Sequence, residues 1–131
     1  SYGEDATWLL GSRHFAKAMP MSYRPKFAVL LDMIGDSDLG LTRDYISMRA
    51  APDLWERIEQ YCGRIGIPFL EETVSILDDH VPLISRGIPA VDIIDFDYPW
   101  WHTVDDTPDK CSAESLQKIG DLVLKIVYTN K

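Results

Sequence analysis

Phe27-Ala28-Val29-Leu30-Leu31-Asp32 is a continuous apolar run closed by a carboxylate, and a run of this kind without alternation suits a strand buried on both faces. The pattern returns at Ile88-Pro89-Ala90-Val91-Asp92-Ile93-Ile94-Asp95, again an apolar stretch ending in a carboxylate. Helical periodicity separates and follows the two. Pro52 and Asp53 open a helix whose Leu54, Ile58, Tyr61, Cys62 and Ile65 fall on one face, and Gly66 with Pro68 ends it. Ser112 is placed to cap a last helix striped by Leu116, Ile119, Val123, Ile126 and Val127, with Glu114 suited to its N-terminal dipole.

The remaining segments fill in the alternation. Apolar residues Trp8, Leu9, Phe15 and Ala16 predict a helix between Asp5 and Ala18, ended by Pro20. Gly35 to Leu41 has turn composition, and the loose alternation of Thr42 to Met48 predicts the returning strand of a hairpin. Phe69 to Ile76 is a short strand candidate, and Asp78 to Gly87 reads as a loop leading into a short helix. Strands alternating with helices predict an α/β fold, with a mixed, mostly parallel sheet covered by helices on both faces. Ligands of such sheets bind beyond the carboxyl ends of the strands, which puts Asp32 and the loop from Asp95 to His102 at the expected site.

Composition narrows the function. The 131 residues suffice for one domain, and 46% hydrophobic content with four Trp, six Tyr and four Phe supports a packed core. Thirteen basic against 21 acidic side chains give a formal charge of -8, with no basic cluster, so nucleic acid is not an expected partner. No apolar run approaches the ~20 residues that cross a bilayer, so no membrane partner is expected either. Cys62 and Cys111 have no ligand-type spacing and are too few for a disulfide framework; Cys62, on the apolar face of its helix, reads as a buried thiol.

Four polar clusters stand at element edges: Glu4-Asp5, Asp32, Asp78-Asp79-His80, and Trp101-His102-Thr103 with Asp105-Asp106. Taken singly each has a structural explanation. Glu4-Asp5 is helix N-terminal charge, Asp79 and His80 cap the following helix, and His102 is a packed histidine bonded to a carboxylate. Asp32 is harder to dismiss, because a carboxylate ending a buried strand must be paired, metal-bound or protonated. Taken together the clusters offer imidazole and carboxylate groups from different loops, which is the chemistry of a zinc site with an open coordination position. Asp5 and His102 are the candidate ligands. His14, within the first helix, is expected to be structural or exposed.

Read in order, four motifs resemble the C-terminal half of metallopeptidase family twenty-eight, which holds zinc aminopeptidases and the glutaminyl cyclases that share their fold. They are Gly-Glu-Asp followed by Trp-Leu-Leu-Gly-Ser-Arg-His-Phe-Ala (8 to 16), Leu-Leu-Asp-Met-Ile-Gly (30 to 35), Asp-Asp-His-Val-Pro-Leu-Ile-Ser-Arg-Gly-Ile-Pro (78 to 89) and Trp-His-Thr-Val-Asp-Asp-Thr (101 to 107). The resemblance implies zinc as cofactor, with Asp5 and His102 as ligands and Glu4 as general acid/base. Asp32 binds a second zinc if the chain is an aminopeptidase, or joins a catalytic hydrogen-bonded network if it is a cyclase. Asp78, where the peptidases have Ser, and Trp101 before the histidine lean toward a glutaminyl-peptide cyclotransferase, with Asp78 catalytic and Trp101 walling the substrate pocket. Asp92 stands where some animal cyclases carry His.

In either case the substrate is a peptide N-terminus. The resemblance places a further aspartate ligand upstream of Glu4, outside this sequence. It therefore implies a single, truncated domain over 1-131 that lacks N-terminal strands, is inactive alone and can self-associate through its incomplete sheet. A non-catalytic homologue is the third alternative. Family members of this kind are often exported, which carries over as an expected extracytoplasmic location.

Overall fold

The computed structural model describes residues 8–129. Its elements are α1 (Leu10–Ala18), β1 (Ala28–Asp32), β2 (Leu41–Asp44), α2 (Tyr45–Ala50), α3 (Pro52–Ile65), β3 (Phe69–Val74), α4 (His80–Ser85), β4 (Ala90–Ile94), a 3-10 turn at Pro108–Lys110 and α5 (Ala113–Tyr128). Both apolar runs form strands and lie side by side, but only β4 is buried throughout; β1 is half-buried with Leu31 exposed, so the expectation of burial on both faces fails there. β1 pairs with β4 in parallel, from Ala28 opposite Ala90 to Asp32 opposite Ile94, and both strands therefore deliver their carboxyl ends to one edge of the molecule. β2 pairs in parallel with β3, with an irregularity between Leu41 and Arg43.

β2 and β4 join the two pairs through side chains. Thr42 Oγ1 accepts from Phe96 N at 3.0 Å, and Asp95 Oδ2 accepts from Gly40 N at 3.0 Å. Within the resulting layer β4 is covered on both sides. Val91 and Ile93 of β4 pack with Leu41, with Leu54, Trp55, Ile58 and Cys62 of α3, and with Ile119, Leu122 and Ile126 of α5. Residues alternate across a strand, so Asp92 faces the opposite side, where α2 and α4 contact β4 and α1 rests on α4.

Local rules explain most elements. Pro52 occupies the first turn of α3, where its missing N–H costs nothing, and Gly66 ends that helix at φ 75°. Leu54, Ile58 and Cys62 are buried as the stripe requires. Ser112 caps α5, its side chain accepting from Ser115 N at 3.0 Å. Among the described residues no helix is long and apolar enough to cross a membrane.

Two further expectations need correction, the returning strand and the cap of α4, whereas the helix expected before Ala18 is present. Thr42 to Met48 does not return as a hairpin strand: the strand stops at Asp44, whose carboxylate accepts from Ile46 N and Ser47 N and starts α2. That cap overrides a weak alternation. Asp79 stands at the N-terminus of α4 without a side-chain capping bond, and His80 is fully buried instead of sitting at an exposed cap. In α1 only Ala16 is buried, while Phe15 remains 55% exposed and Trp8 43%. Its apolar spacing thus marks a helix but not a face turned into this core.

Candidate active site

The carboxyl ends of β1 and β4 open onto a cleft of about 870 Å³, within the usual range for small-molecule sites. Asp32 enters from the end of β1, Asp78 and Asp79 from the loop before α4, and Trp101 and His102 from the loop after β4. Phe96 completes an aromatic wall, its ring 5.4 Å from Trp101, and Trp101 stacks on His102 with centroids 4.2 Å apart. Of the expected site residues, Asp32, Asp78, Trp101 and His102 thus share one cleft. Glu4 and Asp5 lie outside the described residues. His102 is exposed and held by stacking, and among the described residues it has no carboxylate partner, so it is not the packed, carboxylate-bonded histidine that its sequence context allowed. His14 is exposed.

The backbone singles out the same place. The three non-glycine residues with positive φ among the described residues are Leu9 (56°), Met33 (49°) and His102 (57°), and all three line this cleft. Side chains rarely adopt that conformation, and strained backbone concentrates where function over-determines geometry. Met33 follows Asp32, and the conformation of His102 is its own; two of the strained positions therefore orient groups with site chemistry.

Electrostatics make the cleft strongly acidic. Burial, then Asp78, raises the Asp32 carboxyl above the ordinary range. Beneath the cleft lies a polar group with no solvent exposure, comprising Asp44, Ser47, His80 and Asp92. His80 Nε2 lies 3.1 Å from Asp44 Oδ2, outside hydrogen-bond alignment, and its Nδ1 lies 3.9 Å from Asp92 Oδ2. Burial would raise Asp44, but His80, the Ser47 hydroxyl and the N–H groups of Ile76 and Ser47 outweigh it and hold that carboxyl low. Asp92 has no comparable donors. Burial first, then Asp78, Asp32, Asp44 and Asp79, push it up to about 8, and both its oxygens lack hydrogen bonds.

Sequence reasoning missed Asp44 altogether, since nothing in Thr42 to Met48 announced a buried cap. Asp92 carried a signal, a carboxylate inside an otherwise apolar run. Asp95, although at the end of β4, turns away from the cleft to bond Gly40 N, and burial pushes its carboxyl up to about 6.

These shifts predict a pH dependence. An unfolded aspartate titrates near ~3.9, so between about pH 4 and 8 the folded chain holds a proton on Asp92 that the unfolded chain has released. Stability must fall as pH rises through that window, with Asp95 adding to the fall in its lower half. A urea midpoint that drops from about pH 5 to about pH 8, with an upper arm flattened in Asp92→Asn, is expected. A midpoint that rises over the same range would refute the assignment.

A three-layer α/β fold with an acidic, aromatic-walled cleft at its strand ends defines the class: the zinc-exopeptidase and glutaminyl-cyclase fold. The chain belongs to Peptidase family M28, whose sequence model matches residues 2–127. It is 30% identical to aminopeptidase YwaD of Bacillus subtilis (strain 168) over 98% of this chain and 30% of that protein. The structure of Fimbriiglobus ruber glutaminyl cyclase superposes with a TM-score of 0.85 at 37% identity, covering 94% of this chain and 44% of that one. A Zn-dependent exopeptidase from Parabacteroides distasonis ATCC 8503 gives a TM-score of 0.88 at 30% identity, covering 99% and 48%. The chain spans less than half the length of each.

Family membership implies zinc. Among the described residues no group of three or more His, Cys, Asp or Glu converges as a metal site. His102 and Asp32 open onto the same cleft and are chemically suited to zinc, but two donors are fewer than a zinc site needs. Further donors must come from beyond the described residues.

Proposed function

We propose that this chain carries the substrate-facing half of a zinc-dependent glutaminyl-peptide cyclotransferase, which converts an N-terminal glutamine to pyroglutamate and releases ammonia. The observation that carries the reading is the meeting of Asp32 and Asp78 with the Trp101 and Phe96 rings in one cleft. Paired carboxylates suit proton handling at an amine that becomes a nucleophile, and an aromatic wall suits the flat amide of a glutamine side chain. The Fimbriiglobus cyclase, at 37% identity, supports the same choice.

In this reading Asp5 and His102 would hold the metal, which when bound supplies a Lewis acid that polarises the side-chain carbonyl. Glu4 removes a proton from the α-ammonium, the freed amine attacks the δ-carbon, and Glu4 returns the proton to the departing ammonia. Asp32 and Asp78 attract the cationic N-terminus, and Trp101 orients the amide. Of the two protons that leave the attacking nitrogen, Glu4 carries one to the side-chain nitrogen and the other is taken up by the released ammonia. The ring closes through a new C–N bond as the old one breaks, with ammonium as the by-product and no water consumed.

The second reading, a zinc aminopeptidase, is favoured by the YwaD match over 98% of this chain and by the position of Asp32 at the cleft edge, suited to a second metal. One comparison separates them. The zinc-loaded protein is given a Gln-Xaa dipeptide and a leucine anilide in parallel: ammonia with pyroglutamyl product supports the cyclase, whereas released leucine and free glutamine identify the peptidase. Turnover of neither substrate by protein whose metal site is complete and holds zinc would remove both readings.

A further inference from the structure

The cleft segment Ser75 to Asp79 is gripped at both ends by one buried group. Asp44 Oδ1 accepts from Ile76 N at 2.9 Å at the start of the segment. At its end His80, the residue after Asp79, places Nε2 3.1 Å from Oδ2 of the same carboxylate. Asp44 is itself fixed by Ser47, whose N–H and hydroxyl donate to Oδ2 at 2.8 and 2.6 Å, and by Ile46 N at 3.2 Å. The Ser47 hydroxyl oxygen in turn accepts from Asp92 N at 2.8 Å. A chain of hydrogen bonds thus runs from β4 through α2 to the start of the cleft segment, and His80 at its end faces Asp44 at 3.1 Å and Asp92 at 3.9 Å; none of Asp44, Ser47, His80 and Asp92 is exposed.

The segment between the grips has little else to hold it. Ser75, Leu77 and Asp79 are exposed, and its other bonds are local: Asp79 N to Asp78 Oδ1 at 2.6 Å and Val81 N to Asp78 O at 2.9 Å. A short loop with both ends fixed has few conformations left. We propose that Asp44 and His80 are positioning residues that clamp segment 75 to 79, tied to β4 through Ser47 and the Asp92 N–H, and so set where Asp78 stands in the cleft. The role of Asp78 in turnover rests on the cyclase reading; the clamp does not.

Removing the imidazole opens the far end of the clamp and lets the Asp44 carboxylate shift, which loosens the bond from Ile76 N at the near end as well. A buried carboxylate that has lost a partner also seeks new ones, so the segment becomes locally mobile while α3 and α5 stay packed. Local opening of this kind is read by amide exchange, site by site.

The test compares the protein with His80→Ala and His80→Gln by hydrogen exchange resolved at single amides. In His80→Ala the Val81 and Ile76 amides are expected to exchange at least ~10-fold faster, while Ile58 and Leu122 change by less than about threefold. His80→Gln, whose amide N–H can take the place of the imidazole beside Asp44, restores part of the protection. Equal acceleration at all four sites would reduce His80 to a general packing residue, and unchanged exchange at Val81 and Ile76 would overturn the clamp. In the zinc-loaded protein the clamp further predicts a fall in kcat greater than the change in KM for His80→Ala. Because exchange needs no turnover, its outcome stands even if neither substrate is processed.

Discussion

Asp44→Ala is expected to destabilise the chain by about 3–5 kcal/mol, the range for removing one partner of a buried ionic group. The substitution strips acceptors from Ile46 N, Ser47 N, the Ser47 hydroxyl and Ile76 N at once, and it leaves His80 facing only Asp92, at 3.9 Å. Each buried donor left unmade costs its desolvation in full, whereas water would have satisfied it in the unfolded chain. Asp44→Asn keeps an acceptor for the helix cap and should fall between the two. Asp109→Asn, which breaks the exposed ion pair with Lys110, should leave the denaturation midpoint unchanged. Urea unfolding of the three variants decides the matter: a loss below about 1 kcal/mol in Asp44→Ala would show that the network is not cooperative.

Glu4→Gln should reduce turnover by about 10²–10⁴ in the zinc-loaded protein, the ordinary contribution of a positioned general acid/base. The amide has nearly the shape of the carboxyl but cannot carry the proton between the α-ammonium and the leaving ammonia. The peptidase reading predicts the same loss, since there Glu4 acts on the attacking water. This variant therefore tests the residue, and the product comparison tests the reaction. Circular dichroism should show no change in fold, and turnover retained within about tenfold would remove Glu4 from both mechanisms.

The two buried aspartates oppose each other in acid and alkali. Asp44, held low by its donors, contributes stability that is present above the ordinary carboxylate range and lost as pH falls below it. Asp92, pushed up, erodes stability as pH rises toward 8. Together they predict a stability maximum on the mildly acid side, limited at higher pH by Asp92, which burial pushes up to about 8.

Much of this was legible in the residues. Continuous apolar runs without alternation marked both strands, and the expected burial on both faces holds for β4, whereas β1 has only β4 beside it among the described residues and leaves Leu31 exposed. Proline at the start of α3, glycine at its end and serine before α5 act through local backbone chemistry and are readable wherever they occur. Asp32 and the loop holding Trp101 and His102 could be placed at strand ends because each follows an apolar run, whereas the site role of Asp78 came from the family resemblance.

The tertiary structure decided the rest, for two physical reasons. Over six or seven residues, alternation for a strand and spacing for a helix overlap, so whether Thr42 to Met48 turned into α2 depended on Asp44 finding Ile76 N and His80, partners 32 and 36 positions away. Burial of a charged group is likewise a property of its surroundings. No local pattern in Asp-Asp-His tells that the two aspartates line a cleft while the histidine disappears beneath it, between carboxylates contributed by the end of β2 and the middle of β4.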